Sequence, residues 1–554
     1  MRLVKGNRRF PLDIWGLVTL GIVGFYLLFL LYPMTSLLRQ SIYDPLTGQF
    51  MMENFIRFFS RSYYFDTLLN SFKVSLTATF LSIIIGTPLA YLFAAYKIRG
   101  KALLNVLIVI SSMSAPFIGA YSWILLLGRS GVITVFFRNL GINLPDIYGF
   151  GGIVLVMSLQ LFPLVFLYVK GALANIDNSL LEAANNLGCS GVKCFFKVVI
   201  PLITPTLLAA GLLVFMRSFA DFGTPMLIGE GYRTFPVVLY SEFINEVKGN
   251  DGFAAAIAII AIIITTIVFL VQKYISNKHA FELNALHPME EKEPKKVRKI
   301  FVHSYSYLVV AIGVLPQVYV TYTSFKKTSG KIFIPGYSLS SYETAFSKLG
   351  KSIQNTLVIP MLALVVIIII AVLIAYLVVR RRNTLTNTVD ILSMIPYIVP
   401  GTVLGIALLT AFNKKPLLLS GTMLIMVIAL VIRRLPYTIR SSVAILQQIP
   451  MSIEEAARSL GASKFKAFTH VTVPMMAAGI ISGAILSWIM MISELSTAVI
   501  LYTGRTKTLT VAIFTEVLRG NYGVAAALST ILTTLTVISL LLFNKINAGK
   551  EISL

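Results

Sequence analysis

Uncharged apolar runs recur along all 554 residues, and many are long enough to cross the roughly 30 Å hydrocarbon core of a bilayer. Twelve can be marked, six on each side of a polar segment. The first six are Ile14–Leu38, Val74–Tyr96, Ala102–Gly128, Ile147–Val169, Val198–Met216 and Gly252–Gln272. The second six are Ser304–Phe325, Ser352–Val379, Ile391–Asn413, Pro416–Ile432, Val471–Ser493 and Gly520–Asn544. Lipid offers the backbone no hydrogen-bonding partners, so runs of this length are satisfied only as α-helices. The expectation is an all-α polytopic membrane protein. A hydrophobic share of 56%, a charged share of 13% and a mean hydropathy of +0.82 exclude a soluble enzyme and a disordered scaffold. Two cysteines, Cys189 and Cys194, support no disulfide framework.

The net charge of +24 would suggest a nucleic-acid partner in a soluble chain, but no recognition module accompanies it. Its basic residues cluster in short loops, where they report orientation and attraction to anionic lipid headgroups. With an even number of spans both termini share a side, and the loops of that side hold 28 of the 47 Lys and Arg. This bias predicts cytoplasmic termini. Arg2, Lys5, Arg8 and Arg9 precede a run too long for a signal peptide, which reads as a retained helix. Residues 273–303 are polar, mixed in charge and carry Pro288 and Pro294, as expected of a linker between a first unit at 1–272 and a second at 304–554.

The two units are repeats. LEAANNLGCSGVKCFFKVVIPLI from Leu181 returns 273 residues later as EEAARSLGASKFKAFTHVTVPMM from Glu454. Pro163 matches Pro436, Asp221 matches Glu494, and Ala90-Tyr91 match Ala375-Tyr376, so the halves are parallel repeats of six spans. Within each repeated loop, Ser179-x-x-Glu182 and Ser452-x-x-Glu455 fit a capping box at a helix start. Ala183-Ala184 and Ala456-Ala457 propagate a short helix, and Gly188 and Gly461 stand where a left-handed residue would end it. Val192, Phe195 and Phe196, like Phe465 and Phe468, give a second short helix an apolar face ahead of a span opening near Pro201 or Pro474.

This pattern resembles the EAA loop of permease subunits in binding-protein-dependent ABC importers; Glu182 to Pro201 and Glu455 to Pro474 both fit it. The resemblance implies a MetI-like type I importer permease fold in the cytoplasmic membrane. Two copies of a cytoplasmic ATPase subunit would use ATP and Mg, an external solute-binding protein would deliver substrate, and this chain would bind no cofactor. Glu182, Ala183, Ala184, Gly188, Glu455, Ala456, Ala457 and Gly461 would couple the ATPase to the helices. A fused permease of this length, with SFADFGTPMLIGEG at Ser218–Gly231 and SELSTAVILYTG at Ser493–Gly504, looks most like the ferric-iron type. Permeases for thiamine, phosphonates and polyamines share the architecture.

Acids at membrane depth are costly, which makes Asp221 and Glu494 candidates for a translocation path. Ser218, Thr224, Ser493 and Thr497 stand ready to add hydroxyls, or to bond helix backbone instead. Arg217, four residues before Asp221, is placed for an ion pair, whereas Met490 occupies the matching position and leaves Glu494 without such a partner. The resulting balance mildly favours a cationic or metal-bearing substrate. No metal site is expected, since His279, His287, His303 and His470 fall in predicted loops. Gly350-Lys351-Ser352 lacks the earlier glycine of a phosphate-binding loop. A secondary transporter driven by an ion gradient is the alternative class.

Overall fold

A computed structural model describes residues 14–43, 47–113, 116–189, 191–245, 251–278 and 289–546. Arg2, Lys5, Arg8, Arg9, His279, His287 and Pro288 lie outside the described residues.

The apolar runs are helical. IVLVMSLQLFPLVFLYV and VIPMLALVVIIIIAVLIAYLVV are rich in branched residues that would favour strands in water, yet they form the Phe150–Ala174 and Ser340–Arg380 helices. Intrahelical hydrogen bonding overrides that propensity in an apolar chain of this kind. Among the described residues nine helices are long and apolar enough to cross a membrane, and two bent pairs raise the number to eleven.

Four of the twelve expected spans are built differently, Val471–Ser493 among them, since its chain bends by 67° between Lys464–Met475 and Ala477–Ile492. Ala102–Gly128 was expected as one helix; the chain forms Lys101–Met113 and Pro116–Leu127, and the crossing stretch is Phe117–Asn139. Ile391–Asn413 is divided into Thr384–Ile398 and Gly401–Ala411, which meet at 111°. Pro400 explains the break: it forces Val399 into an extended conformation, ψ 124°, and restarts the helix in a new direction. Pro416–Ile432 is displaced, because its helix runs from Met423 to Gln448 and takes Arg433, Arg434 and Arg440 inside it. Arg433 and Arg434 therefore leave the loop inventory, which narrows the charge bias behind the orientation.

Each half is organised on one parallel pair, Ser62–Ala95 with Phe150–Ala174 in the first and Ser340–Arg380 with Met423–Gln448 in the second. The first helices cross over. Ile14–Ile42 packs on the Thr384–Ile398, Gly401–Ala411 and Ser340–Arg380 helices of the other half, while Lys296–Ser324 packs on Lys101–Met113, Pro116–Leu127 and Ser62–Ala95. The two halves are interlocked.

Two smaller departures concern the polar segments. Lys326–Ser329 and Ile332–Tyr337 pair as an antiparallel hairpin within an otherwise helical chain, turning at Gly330 with φ 59°. The linker is shorter than expected, since helices reach Lys278 and resume at Lys296. Its described part is docked: Lys292 donates its amide to the Ala95 carbonyl at 2.9 Å and accepts from the Lys97 amide at 3.2 Å, and Glu291 pairs with Lys101.

Candidate functional site

The repeated loops fold as anticipated at their ends but not at their starts. Asn178–Asn186 and Met451–Ser459 are the short helices. Neither capping box forms. Asp177 is the N-cap of the first, accepting the Ser179 amide at 2.9 Å, and Pro450 occupies the N-cap of the second. Ser179 and Ser452 are thereby moved inside the helix, and a residue within the first turn cannot accept from the amide three positions ahead as an N-cap does. Glu182 instead accepts from the Asn178 side-chain amide at 2.7 Å. Gly188 and Gly461 adopt φ 78° and 91°. The following amides, of Cys189 and Ala462, reach back to the carbonyls of Ala184 and Ala457 at 2.9 and 3.1 Å, closing each helix as a Schellman turn.

Glu182, Ala183, Glu455 and Ala456 are exposed, while Ala184 and Ala457 are half-buried. The residues immediately before the glycines stand out most, and sequence reasoning missed them: Leu187 is 87% exposed and Leu460 90%. An isolated surface leucine is ordinary, but two at matching repeat positions, on matching turns, form a paired apolar surface. The leucine in both NLG and SLG was the available signal.

Behind each turn a π-helical segment, Phe195–Val199 or Phe468–Thr472, leads into the α-helix that opens at Ile200 or Val473, with Pro201 and Pro474 in its first turn as expected. These segments turn Phe195 onto Tyr91 and Phe468 onto Tyr376, each with ring centroids 4.7 Å apart. The second junction is more elaborate. Trp15 stacks 4.5 Å from Tyr376, and buried Glu454 accepts the Tyr376 hydroxyl at 2.5 Å and the Thr472 hydroxyl at 3.4 Å, with Arg380 4.0 Å away. The first half has Leu181 at the position of Glu454. Glu454 is thus a further residue of this site, passed over because its neighbour Glu455 completed the motif.

The acids lie on two bends that meet between the halves. Phe222, next to Asp221, faces Phe514 at 5.5 Å. A side chain at Gly223 would come within 3.0 Å of Phe117 and 3.4 Å of Leu495, so a larger residue there would press these neighbours back by a few tenths of an ångström. Asp221 accepts the amides of Gly223 and Thr224 at 2.9 and 3.5 Å. The expected ion pair with Arg217 is not formed: among the described residues Asp221 has no ion pair, and Arg217 is exposed. Glu494 reverses its expectation too. It is 5% exposed and paired with both Arg433, at 2.9 Å, and Arg434. These partners come from the Met423–Gln448 helix, beyond the reach of an i,i+4 argument.

The hydroxyls divide between local and shared roles. Ser218 donates to the Met157 sulfur at 3.0 Å, and Ser493 to the Ile489 carbonyl at 3.0 Å. Thr497 gives its amide to Glu494 at 3.1 Å and accepts from Arg433 at 2.5 Å. With Arg433 and Arg434 balancing Glu494, the acids no longer argue for a cationic passenger. A cavity of about 10 Å³ beside Glu494, Thr497, Thr356 and Thr508 has room for about one water. Among the described residues no group of three His, Cys, Asp or Glu converges as metal ligands.

Comparison with known proteins adds to this geometry. Residues 79–279 and 363–550 each match the family described as "Binding-protein-dependent transport system inner membrane component". The chain is 27% identical to the ferric transport system permease protein FbpB of Actinobacillus pleuropneumoniae, over 95% of this chain and 77% of the relative. It is 26% identical to a putative ferric transport system permease protein of Haemophilus influenzae, over 88% of this chain and 78% of the relative. A molybdenum transport system permease protein of Escherichia coli is 29% identical over 38% of this chain but 93% of its own length, as a duplicated permease requires.

Proposed function

This chain belongs to the family of binding-protein-dependent transport system inner membrane components, and we propose that it forms the whole membrane pathway of an ATP-driven importer of ferric iron. The substrate rests on one observation, the match along nearly the full chain to two ferric transport permeases. The acids do not sharpen it, because Glu494 is neutralised within the protein.

In this reading both termini are cytoplasmic, and the Asn178–Asn186 and Met451–Ser459 helices each seat in one of two ATPase subunits. Leu187 and Leu460 enter apolar grooves, with Glu182 and Glu455 at the polar rim. ATP and Mg bind to those partners, and this chain contributes no catalytic group. Closure of the ATPases moves the loops. Phe195 against Tyr91, and Glu454 with Phe468 against Tyr376, carry the displacement into the Ser62–Ala95 and Ser340–Arg380 helices. Those helices rock the halves about the bends at Asp221 and Glu494. An external protein loads iron on the opposite face, around residues 39–73 and 326–351, and supplies most of the selectivity.

The test is uptake into proteoliposomes holding the permease with its ATPase and binding protein, comparing radiolabelled ferric iron with thiamine, an aminophosphonate and a polyamine. ATP-dependent iron accumulation is expected. Accumulation of another solute would overturn the iron assignment alone, whereas uptake driven by an ion gradient without ATP would overturn the importer mechanism.

A further inference from the structure

The two halves present unlike ends on the side away from the loop helices. In the first half the segments joining the spans there, residues 39–73, 129–146 and 230–251, carry eight Lys or Arg and eight Asp or Glu. The matching segments of the second half, residues 326–351, 412–422 and 503–519, carry ten against two. Their distance from the loop helices follows from the helix before the hairpin. Arg298, in its first turn, lies 3.9 Å from where a side chain at Gly191 would begin, and the helix then runs to Ser324, about 40 Å away at 1.5 Å per residue.

Backbone contacts gather the basic segments into one patch. The Asn355 side chain donates to the carbonyls of Arg505 and Lys507 at 2.9 and 3.0 Å, tying that turn to the helix that bears Lys351 one turn earlier. Gly421, on the loop that carries Lys414 and Lys415, places its missing side chain 3.6 Å from Thr503. Lys331 lays its stem across Gly520, 3.0 Å from where a side chain would begin, beside Arg519. These six cations are exposed, and among the described residues only Arg519 has an ion pair, with Glu516 at 3.1 Å. In the first half, by contrast, Arg129 is met by Asp146 and Glu230 at 3.0 and 2.9 Å.

A cluster of one sign repels itself and attracts a surface of the other. The patch also borders the bend at Glu494: the Leu509 amide donates to Thr356 at 2.6 Å, and Thr356 and Thr508 line the small cavity beside that acid. A lipid headgroup at the rim of the helices would not cover such a place, whereas a protein seated on the end of the bundle would. We propose that the basic end of the second half, formed by Lys331, Lys351, Lys414, Lys415, Arg505 and Arg519, receives an acidic face of the external binding protein. The charge-balanced end of the first half receives a face without excess charge, so the difference fixes which way round the loaded protein docks. The assignment rests on the importer reading above.

The test places the permease with its ATPase in nanodiscs of phosphatidylcholine, alone or mixed with phosphatidylglycerol, and measures association of the binding protein encoded beside it. Lys414→Gln, Lys415→Gln and Arg505→Gln together should slow association about tenfold at low salt and leave dissociation within about twofold, because rim charges act mainly on encounter. The gap should close near 0.5 M salt. A photo-crosslinking amino acid in place of Lys415 should capture a segment of the binding protein rich in Asp and Glu, and one in place of Arg138 a different segment. Wild-type binding that the triple variant matches in rate and salt dependence would overturn this assignment alone, as would capture of one and the same segment from both positions. A rate difference confined to nanodiscs with phosphatidylglycerol would give the patch to lipid headgroups instead. No binding by the wild type would overturn the importer reading together with it.

Discussion

Glu494 shows what a single residue's neighbours decide. Removing one member of a buried charge group leaves the others uncompensated, which costs about 3–5 kcal/mol. Glu494→Gln, stranding Arg433 and Arg434, should therefore lower the melting temperature of the purified protein far more than Asp221→Asn, whose carboxylate has no ion pair among the described residues and accepts the Gly223 and Thr224 amides. Adding Arg433→Met and Arg434→Met should recover much of the loss. Equal shifts for the two acid variants would refute the assigned pairing. The sequence displayed both acids at matching places but concealed their partners, because Arg434 lies 60 residues away and joins Glu494 only through helix packing. Glu454 was hidden for a similar reason: nothing local tells which of two adjacent glutamates turns inward to Tyr376. Glu454→Ala should leave Tyr376 and Thr472 without their acceptor and reduce ATP-driven uptake by about tenfold while ATPase subunits still bind; Glu454→Gln should restore most of it. Uptake insensitive to both changes would confine Glu454 to stability.

At the scale of elements, helices were legible from apolar length, and the two loop helices from their repeat and their glycines. Their breaks were less so. A break at Pro400 is visible as a proline, yet Pro163 and Pro436 sit inside continuous helices, so only packing distinguishes the two outcomes. The loop helices end at Gly188 and Gly461 as their sequences suggest, but they start two residues ahead of the capping-box serines because Asp177 and Pro450 take the N-cap. The structure shifts emphasis from the motif glutamates to the leucines ahead of the glycines. Leu187→Asp combined with Leu460→Asp should abolish co-purification of the ATPase with the permease, without a change in stability beyond about 0.5 kcal/mol, since both side chains are almost wholly exposed. Glu182→Ala with Glu455→Ala should reduce uptake but spare assembly. Retention of the ATPase by the double aspartate variant would exclude these turns as its seat.

The whole molecule joins two repeats that the sequence could relate but not arrange. Similarity between halves says nothing about which half a given helix packs against, and here each first helix lies on the other half. Ile14–Ile42 even supplies Trp15 to the aromatic junction of the second loop, at 4.5 Å from Tyr376 and 5.0 Å from Phe468. Signals from one loop therefore reach structure begun in the other repeat, which lets two separate inputs act on one pathway. The exchange also makes the covalent link dispensable for assembly. A chain divided within residues 279–288 keeps Glu291 and Lys292 on the second piece, where they dock onto Lys101 and the backbone of residues 95–97 of the first. The two pieces, expressed together with a tag on one, should co-purify in near-equal amounts and support ATP-driven uptake within about twofold of the intact chain, because crossed apolar helices hold them more strongly than the linker does. Either piece expressed alone should be lost to proteolysis, having an apolar face with no partner. Recovery of a stable, monodisperse single half would mean that the crossed helices are accessory and that each repeat folds by itself.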